Sequence, residues 1–381
     1  MASPAEDKPD DENVVVLANS ADMMAADTEL PPAVESAVLM TYRATGLGVY
    51  GAVLRYAGMP LEKIALYLNS AQVSGKNQLR QAIQLTFADA SSPTGRSFVA
   101  PFRVVGPASV VAWFLQYSVM GFVFQVCDSA LSNALSIPRM PYGAQLMDDP
   151  KNDSVHSSTA GSASSKSKEY IKAVLAPAMA GAIESVVANR AEVQRYFGIQ
   201  QFAKMEKRLG WNAFGRVCAP AYVVNASRNC IMSATSFVMT PILYRNFFPQ
   251  EKKSQTSLFW FGLGMNVFVG NTVAITQQAL WGRALDYAAG GNNGARNINY
   301  RAVISDGLKK EGVSAFYTVP KWASRVLMNA PVQGTLPWFY NEVLPIGEGR
   351  VLDVFKGAYQ SLQTGVQPSV ATLPTRSNVS E

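Results

Sequence analysis

The sequence predicts an all-α membrane protein with six apolar helical spans, arranged as three pseudo-symmetric repeats of helix, surface helix, helix. Three observations carry this expectation. Val104–Cys127 and Ser254–Gly282 contain no Asp, Glu, Lys or Arg, and each exceeds the ~20 apolar residues that cross a bilayer as a helix. Charged residues are only 16% of the chain against 48% hydrophobic ones, a poor composition for a 381-residue chain folding as two or three soluble domains. Similar short patterns also recur in register. Gly51, Gly181 and Gly262 lie nine residues before Pro60, Arg190 and Asn271, and Gly210–Phe214 resembles Gly312–Phe316. Helices buried in a large soluble core are the poorer reading, because windows of this length well exceed an average core helix.

Residues 1–32 are acidic and poor in aromatics, so they are expected to be a disordered or partner-bound tail. Pro31-Pro32 opens the first span, where Ala44, Gly48 and Ala52 recur every four residues and allow close helix approach. Arg43 and Arg55 interrupt it, and a charge inside a membrane requires a partner or water. Pro60 breaks that helix, and polar residues 61–90 suit a surface helix. Further spans are expected over 99–130, 170–197, 217–248, 257–287 and 320–344. The organisation is therefore repeat 1 over 33–130, repeat 2 over 168–250 and repeat 3 over 251–345. A Ser/Gly-rich linker at 131–167 is read as mobile or partner-docked, and 346–381 forms a C-terminal extension.

Charge placement narrows the partners. Residues 1–35 hold nine acids and one base, leaving 18 acids and 32 bases for the rest. A basic membrane body suits anionic lipid or an anionic solute. Nucleic-acid binding would need a basic face with interleaved aromatics on a soluble module, and none is visible. Cys127, Cys218 and Cys230 are widely separated and His156 is the one histidine, so no metal ligand set is expected. No catalytic Ser/His/Asp grouping or phosphate-binding loop appears, and the chain is not expected to be an enzyme. The acidic N-terminus is the opposite of an Arg-rich transit peptide, so no cleavable presequence is expected.

Two segments carry a family resemblance: Ala180–Val193, and Glu311–Tyr340 with Gly312, Phe316, Arg325, Pro331 and Tyr340. Over residues 33–345 the chain resembles the mitochondrial carrier family. That resemblance implies a six-helix bundle in the mitochondrial inner membrane with an internal import address. It also implies Pro-x-Asp/Glu-x-x-Lys/Arg at the matrix end of each odd helix, where three ion pairs close the cavity. Here repeat one reads Pro60, Glu62, Ala65; repeat two reads Arg190, Glu192, Arg195; repeat three reads Asn271, Val273, Thr276. Pro60, Glu62, Glu192 and Arg195 are the residual gate positions, and Glu62 with Arg195 is the one pair the cyclic scheme leaves. Glu192 would face Thr276.

The opposite gate keeps the aromatics Phe124, Tyr244 and Tyr340 without any acid–base pair. The family's solute-contact positions fall near Trp113, Ser233 and Asn329, all uncharged. Glu184 and Arg228, on consecutive spans, are expected to neutralise one another. No cofactor is expected. The bound molecule the resemblance implies is a phospholipid such as cardiolipin, held by backbone amides at helix starts near Gly210, Gly215 and Gly312.

Scaffold residues thus persist while the ion pairs that drive alternating access have mostly gone. The expectation is a non-transporting accessory subunit of a larger respiratory membrane complex. The acidic tail, the 132–167 insert and the C-terminal extension would contact other inner-membrane proteins. The alternative is an active but divergent solute transporter.

Overall fold

The computed structural model describes residues 30–68, 77–103, 107–147, 163–209, 213–290 and 298–364. The acidic tail before residue 30, the Ser-rich 148–162, Gly210 and the end of the C-terminal extension lie outside them. The chain divides into a body, Met40–Gly347, and a unit made of Met1–Leu39 with Glu348–Glu381.

The described residues are overwhelmingly helical, and their only β-type pairing is an isolated bridge between Ala88 and Arg96. Helix α1 is Pro32–Ala57, with proline in its first turn, where its missing N–H costs nothing. The chain then steps through Gly58 into α2, Met59–Leu68. Gly58 N donates to Leu54 O at 2.8 Å and Glu62 N to Gly58 O at 3.0 Å, so the interruption lies at Gly58 and not at Pro60, which sits in the first turn of α2 where its missing N–H is tolerated. A short α3, Gln78–Thr86, follows. Helix α4 is Pro107–Leu135 and α5 is Ala163–Phe197. Pro177 inside α5 removes one ladder bond, and Gly198 at φ +80° ends the helix. Helix α6, Ile199–Leu209, buries Phe202 and Met205 and exposes Lys204, Lys207 and Arg208, the amphipathic pattern of a surface helix.

The next two spans are interrupted by π-helical turns. One consists of α7 (Tyr222–Ala234), a π segment Thr235–Met239 and α8 (Thr240–Phe247). The other consists of α9 (Gln255–Met265), a π segment Asn266–Gly270 and α10 (Asn271–Ala289). Helix α11 (Tyr300–Glu311) precedes α12 (Val319–Asn329). Two more π segments, Ala330–Gly334 and Phe339–Val343, lead into α13 (Leu344–Thr364). The polar stretch 61–90 is therefore two short helices in its described part, and the C-terminal extension continues the last helix to Thr364.

Four helices are long and apolar enough to cross a membrane: Pro32–Ala57, Ser109–Leu135, Ser167–Phe197 and Gln255–Ala289. This is the architecture of an all-α membrane protein. The expected fourth and sixth spans are helical but are not among the four. They carry buried Asn225, Arg228, Asn229, Arg325, Asn329 and Gln333, which dilute their apolar character.

Small residues set the closest approaches. A Cβ on Gly181 of α5 would stand 2.3 Å from the backbone nitrogen of Cys230 on α7. On Gly48 of α1 it would stand 2.0 Å from Ser118 Oγ on α4. The main core joins Leu47, Tyr117, Met120, Phe124, Phe237, Leu336 and Tyr340. Phe124 stacks on Phe237 at 4.7 Å, and Phe237 meets Tyr340 edge-on at 5.6 Å.

Candidate functional site

Toward one end of the body the intramembrane charges converge. Glu62, one turn into α2, receives Arg195 of α5 at 3.2 Å and Arg55 of α1 at 3.7 Å. Two of the expected gate residues are thus brought together, and a third charge joins them. Pro60 stands at the start of α2, two residues before Glu62. Glu192 does not face Thr276. Both its oxygens accept from Arg228 Nη2, at 2.8 and 3.0 Å, while Thr276 bonds Val273 O on its own helix.

This corrects the expected Glu184–Arg228 pair. Arg228 reaches the carboxylate two turns farther along α5, and Glu184 accepts instead from Gln116 Nε2 at 2.8 Å. The long guanidinium stem lets Arg228 select the acid beside Gln278, which accepts from its other nitrogen at 2.7 Å. Gln278 also accepts from Arg325 at 3.1 Å. Arg55 donates to Tyr117 Oη at 2.9 Å, Asn329 Oδ1 at 2.9 Å and Met328 O at 3.3 Å. Arg55, Glu62, Glu192, Arg195, Arg228, Arg325, Gln278 and Asn329 line a cavity of about 50 Å³.

Of the expected contact positions, only Asn329 lines this cavity. Trp113 is 1% exposed, packs with Ala52 and Met59, and lies 5.2 Å beneath the Arg195 guanidinium. Ser233 is fully buried with no partner for its hydroxyl among the described residues.

Asn189, one turn before Glu192, was not anticipated as a structural node. Its Nδ2 donates to Cys218 O and Pro220 O, and its Oδ1 accepts from Asn225 Nδ2 at 2.7 Å and Trp281 Nε1 at 2.9 Å. It thereby fixes a turn in which Ala219 and Ala221 take φ of 60° and 61°, a region unfavourable to a side chain bearing Cβ. Gly215 sits inside a short helix, Ala213–Cys218. Gly312, at φ +64°, ends α11 and opens the 3-10 turn Gly312–Ala315. It is seven residues from the start of α12, where Thr318 Oγ1 already accepts from Lys321 N at 3.3 Å.

At the opposite end the first part of the 131–167 insert is folded onto its own chain. Asp128, near the end of α4, forms a buried pair with Lys172 of α5 at 3.1 Å. Met140 N donates to Asp128 Oδ2 at 3.1 Å, and Lys172 donates to Pro138 O. Tyr142 lies under the Arg43 guanidinium of α1 at 4.0 Å and against Tyr340 at 4.8 Å. Gly143 N donates to Asn341 Oδ1 at 3.2 Å. Leu146 is fully buried with Tyr244 of α8 and Leu258 of α9. The strap Pro138–Met147 thus touches all six helical paths, and its side chains meet Tyr244 and Tyr340, two of the three aromatics expected at a gate. A second cavity, about 70 Å³, lies beneath it, lined by Arg43, Phe124, Gln125, Asp128, Tyr142 and Asn341 among others.

The chemistry available is ion pairing and hydrogen bonding. Among the described residues no three metal-ligating side chains cluster. No protein-family model, curated protein or solved structure matches this chain.

Proposed function

We propose that the chain is a carrier-like bundle of the mitochondrial inner membrane, built from three helix–surface helix–helix repeats, that no longer transports. In this reading it serves as an accessory subunit of a larger respiratory membrane complex. The observation that supports it is the strap. Alternating access requires one mouth to open while the other closes. Here Pro138–Met147 is bonded across one end while the Glu62–Arg195 pair ties α2 to α5 toward the other. In this reading the strap, packed against Tyr244 and Tyr340, stands in for the acid–base pairs of a breakable gate. Beyond the body, α13 exposes Val354, Phe355 and Leu362, an apolar face suited to a partner.

Reconstitution into liposomes tests this reading across nucleotides, carboxylates, amino acids and inorganic anions. Exchange is expected to equal that of protein-free vesicles, and the protein should migrate with a large assembly after mild solubilisation. Sustained exchange of any one solute overturns the proposal.

The second reading, a divergent transporter, draws support from the arginine-lined cavity. It predicts saturable exchange in the same assay, lost in Arg228→Met.

A further inference from the structure

The lining of the inner cavity is unbalanced. Arg55, Arg195, Arg228 and Arg325 face it, against Glu62 and Glu192. Arginine stays protonated in proteins, so two positive charges are uncompensated when both acids are ionised. Glu184 lies two turns along α5, bonds Gln116 and is not part of the lining. The excess is concentrated at Arg325. It is 3% exposed, its Nη1 donates to the neutral Gln278, and its Nε finds no acceptor. No carboxylate among the described residues comes within ion-pair distance of it. An unpaired guanidinium held inside a membrane bundle is costly.

We infer that this cavity holds a compact oxyanion of charge near −2, of the class of phosphate or sulfate, as a resident component of the fold. A volume of about 50 Å³ exceeds the ~10–15 Å³ that a single water needs and suits one tetrahedral oxyanion. The free Nε of Arg325 supplies a charge-assisted donor, and the surplus charge of the Arg55–Arg228–Arg325 face supplies the field. The inference does not rest on the absence of transport, because a resident anion and a transported one would both occupy this cavity.

The test uses the full chain purified in a non-ionic detergent and exchanged into chloride buffer without phosphate or sulfate. Titration with inorganic phosphate is expected to raise the midpoint of thermal unfolding by about 3 °C at a hundred-fold excess over Kd. Equal ionic strength of chloride should leave it unchanged. Arg325→Met is expected to unfold at a higher temperature than the parent in chloride buffer, because its buried surplus charge has gone, and to lose the phosphate response. Phosphorus analysis before and after lipid extraction separates a free oxyanion from a phospholipid headgroup. A midpoint that ignores phosphate and sulfate, or moves equally with chloride, overturns the inference. So does phosphorus that leaves only with lipid. Should Arg325→Met not fold, the parent titration alone still decides.

Discussion

At the scale of single residues, two arginines one helix apart make opposite demands. Arg228 neutralises Glu192 with one nitrogen placed on both carboxylate oxygens. Arg228→Met strands that carboxylate among buried neighbours, and a loss of about 3–5 kcal/mol is expected, read as the midpoint of chemical unfolding in detergent. Arg325→Met removes a charge that has no carboxylate partner among the described residues, so without a bound oxyanion the same kind of substitution stabilises. Asn189→Leu should be among the most disruptive single changes. It leaves the Trp281 N–H and the carbonyls of Cys218 and Pro220 without their partner, at about 1–3 kcal/mol for each buried group. Limited proteolysis should then cleave within 218–221.

Outside the spans, Asp89 offers a pH test. The Ser91 hydroxyl and amide bond its carboxylate and Arg103 lies 2.7 Å away, which holds it below its ordinary value near 3.8. A depressed carboxylate stabilises above its unfolded pKa, and that contribution disappears as pH falls through the lower folded value. The loop 87–98 should therefore keep its hydrogen-exchange protection from pH 7 to about pH 4 and lose it below. Asp89→Asn should exchange faster there even at pH 7.

At the scale of elements, α5 is the helix on which most of the body depends. It meets α4 on one side and α7 on the other, and carries Lys172, Gly181, Asn189, Glu192 and Arg195 in sequence along its length. Gly181→Ala forces a methyl into the backbone of α7. A loss of about 1–3 kcal/mol is expected from overpacking, with thermal unfolding as the measurement. This helix was legible in the sequence because its apolar run, its glycine and its charges fall on a recognisable period. The presence of two helices in the described part of 61–90 was less legible, since a short, polar stretch carries little hydrophobic period to mark helix ends. The strap was not legible at all. Its residues are held by partners far along the chain, as with Gly143 and Asn341, 198 positions apart. No local propensity reports such contacts. The pairing of Arg228 with Glu192 escaped for a related reason. Spacing along one helix cannot tell which of two acids a long, flexible side chain on the next helix will reach.

At the scale of the whole molecule, four apolar helices and two polar ones make an uneven bundle. The polar pair, α7–α8 and α12 with its π segments, contributes Arg228, Asn229, Arg325 and Asn329 to the interior. Neither is suited to face lipid alone, so each depends on its neighbours for insertion. The protein should resist alkaline carbonate extraction as an integral membrane component. Release into the soluble fraction would contradict the membrane architecture.

The strap also sets an order of assembly. Its first anchors, Asp128 and Lys172, are available once α4 and α5 have paired. Its last ones, Tyr340 and Asn341, lie 198 positions beyond the strap residues they meet, Tyr142 and Gly143. In a nascent chain Pro138–Met147 therefore lacks its Tyr340 and Asn341 anchors until the final helix arrives. Completion of the last helix is thus written into the strap, whose Tyr142 and Gly143 gain their partners only when residues 340 and 341 are in place.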